Sequence, residues 1–148
     1  MARPAAAAAR LMVRLQTFLL IWLIATFAIA APPAPAVQAE IDGLLARLEA
    51  SGCAFNRNGS WYPAAEAKTH LLRKLKYLAD RGMVQTTEKF IELAASGSSM
   101  SGELYLVKCG SDAPIQSGKW LRSRLQEMRS AGRVSMIIET RAGVNTSD

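Results

Sequence analysis

The chain has 148 residues, with 18 Lys and Arg against 12 Asp and Glu, a formal net charge of +6, six prolines and ten glycines. That length admits one domain with one modest core. Its single histidine and two cysteines, neither in a C-x-x-C motif, exclude a Cys/His zinc site and a redox dithiol. The basic residues lack the dense clustering with aromatics that marks a nucleic-acid surface.

Arg3, Arg10 and Arg14 make a basic start, Leu15 to Ala31 form an uncharged apolar run, and a Pro/Ala-rich stretch follows. Small-x-small sites lie at Ala28-Ile29-Ala30 and Val37-Gln38-Ala39. This is the pattern of a signal peptide over residues 1–39, cleaved after Ala39, so the protein is expected to be periplasmic or secreted. At 17 residues the run also meets the lower bound for a spanning helix, so an uncleaved amino-terminal anchor is the alternative and the only expected link to a membrane. Without the leader, 109 residues remain, and 15 basic against 12 acidic residues leave a charge of +3.

Glu40 to Ala50 places Ile41, Leu44, Leu45 and Leu48 at helical spacing and is ended by Ser51-Gly52. Cys53 to Asn56 and the segment ending at Trp61-Tyr62 read as two strands around Asn58-Gly59, with Cys53, Phe55 and Arg57 on one face. Pro63 opens what reads as the longest helix, Ala64 to Arg81, with Ala67, Leu71, Leu75 and Leu78 as its buried stripe and Arg73 in water. His70, Lys74, Tyr77 and Arg81 line one edge of it. Thr86 or Thr87 caps a third helix running to Ser96. A Ser/Gly-rich loop, Ser96 to Gly102, precedes a strand from Leu104 to Cys109, and Gly110 to Gly118 reads as a turn.

Trp120, Leu121, Leu125 and Met128 define a last amphipathic helix. Val134 to Ile138 has strand character, and residues 132–148 are expected to form a poorly ordered tail. Two cysteines in an oxidising compartment argue for one bridge, Cys53 to Cys109, that ties the two strands together. The expected architecture is α+β: three to four short helices packed on a small antiparallel sheet, one disulfide, a single domain over residues 40–131.

These residues resemble a bacterial family of small exported proteins, the domain-of-unknown-function family five-three-two-nine. The resemblance is carried by Glu40-Ile41-Asp42, Ser51-Gly52-Cys53-x-Phe55-x-Arg57-Asn58-Gly59, Tyr62, Glu66-Ala67 and His70-Leu71 with Lys74. It continues through Phe90-Ile91, Ala95-Ser96-x-Ser98-Ser99-x-Ser101-Gly102, Tyr105, Cys109 and Trp120-Leu121, and leaves the tail after Gly132 outside. It implies a small exported domain and no activity.

Three readings cover the polar motif. Arg57, His70 and Lys74 with the hydroxyls and amides around Ser98, Ser99 and Ser101 can converge on an anionic group such as a carboxylate or phosphate. The same residues can serve the fold alone, Arg57 and His70 satisfying loop carbonyls and the serines capping turns. A small envelope hydrolase would instead use one of those serines as nucleophile, His70 as base, Glu66 or Asp80 to orient it, and the amides of Gly97 and Gly102 for an oxyanion. The Gly-x-Ser-x-Gly elbow is absent. The preferred expectation is a non-catalytic exported binding or accessory module, a monomer without cofactor or metal. Its expected partner is an anionic small molecule or another envelope protein docked along the helical edge, with no nucleic acid.

Overall fold

A computed structural model describes residues 31–144 of the chain. The basic start and the apolar run through Ala30, which carry the leader assignment, lie outside the described residues. No helix among the described residues is long and apolar enough to cross a membrane.

Helix α1 spans Pro35–Ala50 and starts five residues before the expected Glu40. Proline at the first position costs no helical hydrogen bond, and Gln38 donates to Asp42 at 2.8 Å on the added turn, while Val37 packs against the core. The expected cleavage point after Ala39 therefore falls inside α1. The helix buries Ile41, Leu44, Leu45 and Leu48 completely or nearly so, each contributing roughly 1.5–3 kcal/mol of hydrophobic stabilisation.

Strands β1 (Ala54–Arg57) and β2 (Ser60–Pro63) form the hairpin. Asn58 at φ 50° and Gly59 at φ 79° supply the two left-handed residues that a two-residue turn matching strand twist needs. β1 also pairs with β3 (Leu106–Lys108), which pairs with β4 (Ile115–Gln116), so the antiparallel sheet runs β2-β1-β3-β4. The segment expected as a plain turn thus returns a short edge strand, and the strand expected from Leu104 is reduced to a bridge with Gly97 before β3 begins. Phe55 faces Val107 across the sheet, and Ala54 faces Lys108. One residue beyond that last pair, Cys53 and Cys109 are joined by the disulfide.

Helix α2 covers Ala64–Ala79, with Pro63 as its cap in an extended conformation, outside the helix. Leu71, Leu75 and Leu78 are buried as the stripe requires. Helix α3 starts at Thr87, capped by the Thr86 hydroxyl accepting from the Lys89 amide. After one turn it widens into a π-helical segment, Ile91–Ala95, whose exit is held by the Ser96 hydroxyl donating to the Ile91 carbonyl at 2.8 Å.

Helix α4, Ser117–Val144, is the longest among the described residues at 28 residues, which corrects the assignment of that place to α2. It also replaces the strand character expected at 134–138 and carries helix through most of the expected tail. A strand there would need a ladder partner, and the sheet includes no segment beyond Gln116. An established helix instead propagates at the cost of one residue's ordering per hydrogen bond. Trp120, Leu121 and Leu125 bury the first half of α4, and Phe55 meets Trp120 edge to face at 5.7 Å.

The helices are tied at their far end by Arg129 of α4. Its guanidinium donates to both carboxylate oxygens of Glu40 in α1 and to Glu88 in α3. The Thr87 hydroxyl, buried beside them, donates to Glu40. Bonding to Arg129 holds both carboxyls below their ordinary range.

Candidate functional site

The sheet, α2 and the start of α4 enclose a cavity of about 190 Å³. β1 and β2 contribute Phe55, Asn56, Arg57 and Tyr62; α2 contributes Glu66, Ala67, Thr69, His70, Leu71 and Arg73. The wall is completed by Ala95 at the end of the π-helical segment, by Tyr105 and by Ser117. The arrangement follows from local structure. Residues 66, 69, 70 and 73 recur at three- and four-residue spacing and share a helix face, and Arg57 ends β1 beside them.

Burial sorts the lining. Phe55, Leu71, Ala95, Tyr105 and Ser117 are buried, Arg57, Tyr62 and His70 are half-buried, and Glu66, Thr69 and Arg73 are exposed. The cavity therefore has an inner end lined by apolar side chains together with Tyr105 and Ser117, and an open end that carries the charges.

His70 is the electrostatic centre. Its proton affinity falls until the imidazole titrates at about 4, first because burial penalises the cation and then because Arg57, Lys74 and Arg73 stand near it. Its Nε2 is buried without a hydrogen-bond partner. Lys74, also lowered by burial and by Arg57, donates from Nζ to the Gly97 carbonyl at 3.2 Å and sits 5.3 Å from the Tyr105 ring centroid. Burial raises the Tyr105 phenol, with Arg57 acting in the opposite sense. The Arg57 guanidinium carbon lies 4.8 Å from the Tyr62 ring centroid, a cation–π contact. None of Arg57, Arg73 and Lys74 forms an ion pair among the described residues.

Of the candidate residues, Arg57 and His70 line the cavity and Lys74 supports its wall. The serines do not join them. Ser98 Oγ accepts from the amides of Met100 and Ser101, Ser101 Oγ accepts from the Glu103 amide, and Ser99 is exposed; none of the three lines the cavity. Among the described residues neither Arg57 nor His70 donates to a carbonyl of that loop; Lys74 does so, to Gly97. The lower half of the helical edge stays in water, where Arg81 stacks on Tyr77 at 3.6 Å. Arg73 was missed as a lining residue, although its position three residues after His70 carries the signal. Tyr62, Tyr105 and Ser117 were not assigned to the site because only the tertiary fold brings them to α2. Among the described residues no group of three or more His, Cys, Asp or Glu is placed to hold a metal ion.

The cavity, the bridge and the helical frame all fall within the span matched by one family model, residues 35–129. The chain belongs to the family of unknown function DUF5329. The DUF5329 match opens at the first residue of α1 and ends at Arg129, the residue that ties α4 to α1 and α3. The exposed remainder of α4 lies outside it. No curated protein and no solved structure matches the chain.

Proposed function

We propose that this DUF5329 domain is an exported, non-catalytic binding module of a bacterial envelope whose cavity takes an anionic group. The observation that carries the reading is the pair of guanidiniums, Arg57 and Arg73, lining one cavity without carboxylate partners among the described residues. The half-buried, neutral imidazole of His70 in the same lining adds a polar surface that does not compete for the anion. Export is supported by the basic and apolar leader pattern and by the disulfide, which persists in oxidising compartments.

The hydrolase alternative has less support. A nucleophile must stand within hydrogen-bond reach of its base, and the hydroxyls of Ser98 and Ser101 serve their own loop. The test is a thermal-shift screen of carboxylates, phosphates and sulfate against the oxidised protein, alongside Arg57→Ala and Lys74→Ala. A ligand that raises Tm without turnover, and does so less in Arg57→Ala, supports binding. Ligand stabilisation unchanged in both variants removes the proposal. Turnover lost in both His70→Ala and a single serine variant replaces it with the hydrolase.

A further inference from the structure

The chemical class of the ligand can be narrowed from the same cavity, and this step rests on reading that cavity as an anion site. A site for a bare inorganic anion is small and lined by donors. This one is larger, and most of its lining surface is apolar. Its volume of about 190 Å³ exceeds the roughly 150 Å³ of a dry apolar cavity that accommodates benzene. Its inner end is walled by Phe55, Leu71 and Ala95, all buried members of the hydrophobic core.

The charges open to a ligand are also countable. Lys74 lies outside the lining, donating to the Gly97 carbonyl beside the Tyr105 ring, and keeps its charge, whereas His70 is neutral at pH 7. Arg57 and Arg73 remain on one side and the Glu66 carboxylate on the other, all lining the same cavity. With Lys74 close behind them, Arg57 and Arg73 leave the site net positive and suited to an anion. The Glu66 carboxylate in the same lining opposes a second negative charge on the ligand, which favours a monoanion. The planar fork of a guanidinium such as that of Arg57 matches a carboxylate in two parallel hydrogen bonds.

We infer that the cavity binds a small monocarboxylate with an apolar body of about aromatic-ring size. Its carboxylate lies on Arg57 and Arg73 at the open end, and its body lies against Phe55, Leu71 and Ala95. This adds to the anion reading a requirement for both ends of the ligand.

The experiment is calorimetric titration of the oxidised full chain at pH 7 with phenylacetate, acetate, phenylacetamide, phenyl phosphate and inorganic phosphate. Phenylacetate is expected to bind at one site, with acetate and phenylacetamide each at least about tenfold weaker, because each lacks one of the two ends. Arg57→Gln is expected to weaken phenylacetate by about tenfold or more. Ala67→Leu, which fills the cavity from α2, is expected to abolish its binding, with folding of both variants checked by circular dichroism. Equal affinity for acetate and phenylacetate overturns the apolar-body requirement, and tighter binding of either phosphate than of phenylacetate overturns the carboxylate assignment, while the anion reading stands in both cases. Binding of phenylacetate undiminished in both variants overturns the assignment to this cavity. If none of the four anions binds, both readings fall.

Discussion

The imidazole of His70 meets the phenol ring of Tyr105 edge to face, with centroids 6.2 Å apart and planes inclined at 72°. One comes from α2 and the other from the segment leading into β3, so the pair closes the cavity between helix and sheet. It also sets the protonation of the histidine: an aromatic wall on one side and the cations Arg57, Lys74 and Arg73 on the others disfavour the imidazolium.

A pH dependence of stability follows. His70 titrates at about 4 in the fold and near its ordinary 6.5 when unfolded, so between these values the unfolded chain binds the extra proton. Stability rises with pH across that window, and the contribution present above 6.5 is lost as pH falls toward about 4. Glu66, on the same helix, faces the cavity with opposite sign, and Glu40 and Glu88, lowered by Arg129, add their own acid sensitivity at lower pH. Urea denaturation of the wild type and His70→Gln at intervals from pH 7.5 to 4.5 isolates the histidine. The wild type is expected to lose more stability than the variant over this range; parallel curves contradict the account.

The disulfide closes a loop with a sequence separation of 56. In the chain-entropy treatment such a loop limits the unfolded ensemble by about 4 kcal/mol, and small exported domains that lose a native bridge lose about 2–5 kcal/mol. Cys53→Ala/Cys109→Ala is expected to fall in that range by chemical denaturation. A loss below about 1 kcal/mol means that strand pairing alone holds β1 to β3.

Arg129 is a surface residue with a structural role. At 41% side-chain exposure its pairs with Glu40 and Glu88 are partly screened, so Arg129→Met is expected to cost only about 1 kcal/mol. Thr87→Val removes a buried hydroxyl that donates to Glu40 and is expected to cost about 1–2 kcal/mol. Because the two residues share Glu40, their effects are coupled, and a double-mutant cycle measures that directly.

Close backbone approach predicts a difference between two glycines. A Cβ on Gly97 would stand 2.8 Å from the Glu103 carbonyl oxygen, a backbone atom held in the bridge with Leu104. A Cβ on Gly118 would stand 2.3 Å from Ser96 Oγ, a side-chain atom that can rotate away at the expense of its bond to Ile91. Gly97→Ala is therefore expected to cost about 1–3 kcal/mol and Gly118→Ala less, as read from thermal melts of the two variants.

The sequence made the helical frame and the bridge legible because their signals are local. Leucine spacing marked α1 and α2, Asn58-Gly59 marked the hairpin, and an even cysteine count marked the disulfide. The α+β class followed from these. What stayed hidden depended on contacts far apart in the chain. The π-helical widening at Ile91–Ala95 leaves the apolar pattern of Phe90, Ile91 and Ala94 unchanged, so periodicity does not reveal it. The β-branched residues of 134–138 read as strand because propensity ignores whether a ladder partner exists. In the cavity, Arg57 and His70 could be picked out as polar residues in a motif, and Arg73 was obscured by its exposed helix position. The serine loop, rich in hydroxyls on paper, engages three of its four, those of Ser96, Ser98 and Ser101, in bonds to nearby backbone.

The central claim is that Arg57, His70 and Arg73 surround one anion-binding cavity, and the most direct measurement is a titration followed by NMR of the His70 ring. With phenylacetate added at pH 7, the ring resonances of the only histidine in the chain are expected to shift in a saturable manner, and the shift is expected to be strongly reduced in Arg57→Ala. A His70 ring unmoved by every anion tried, or one shifted identically in Arg57→Ala, contradicts the account.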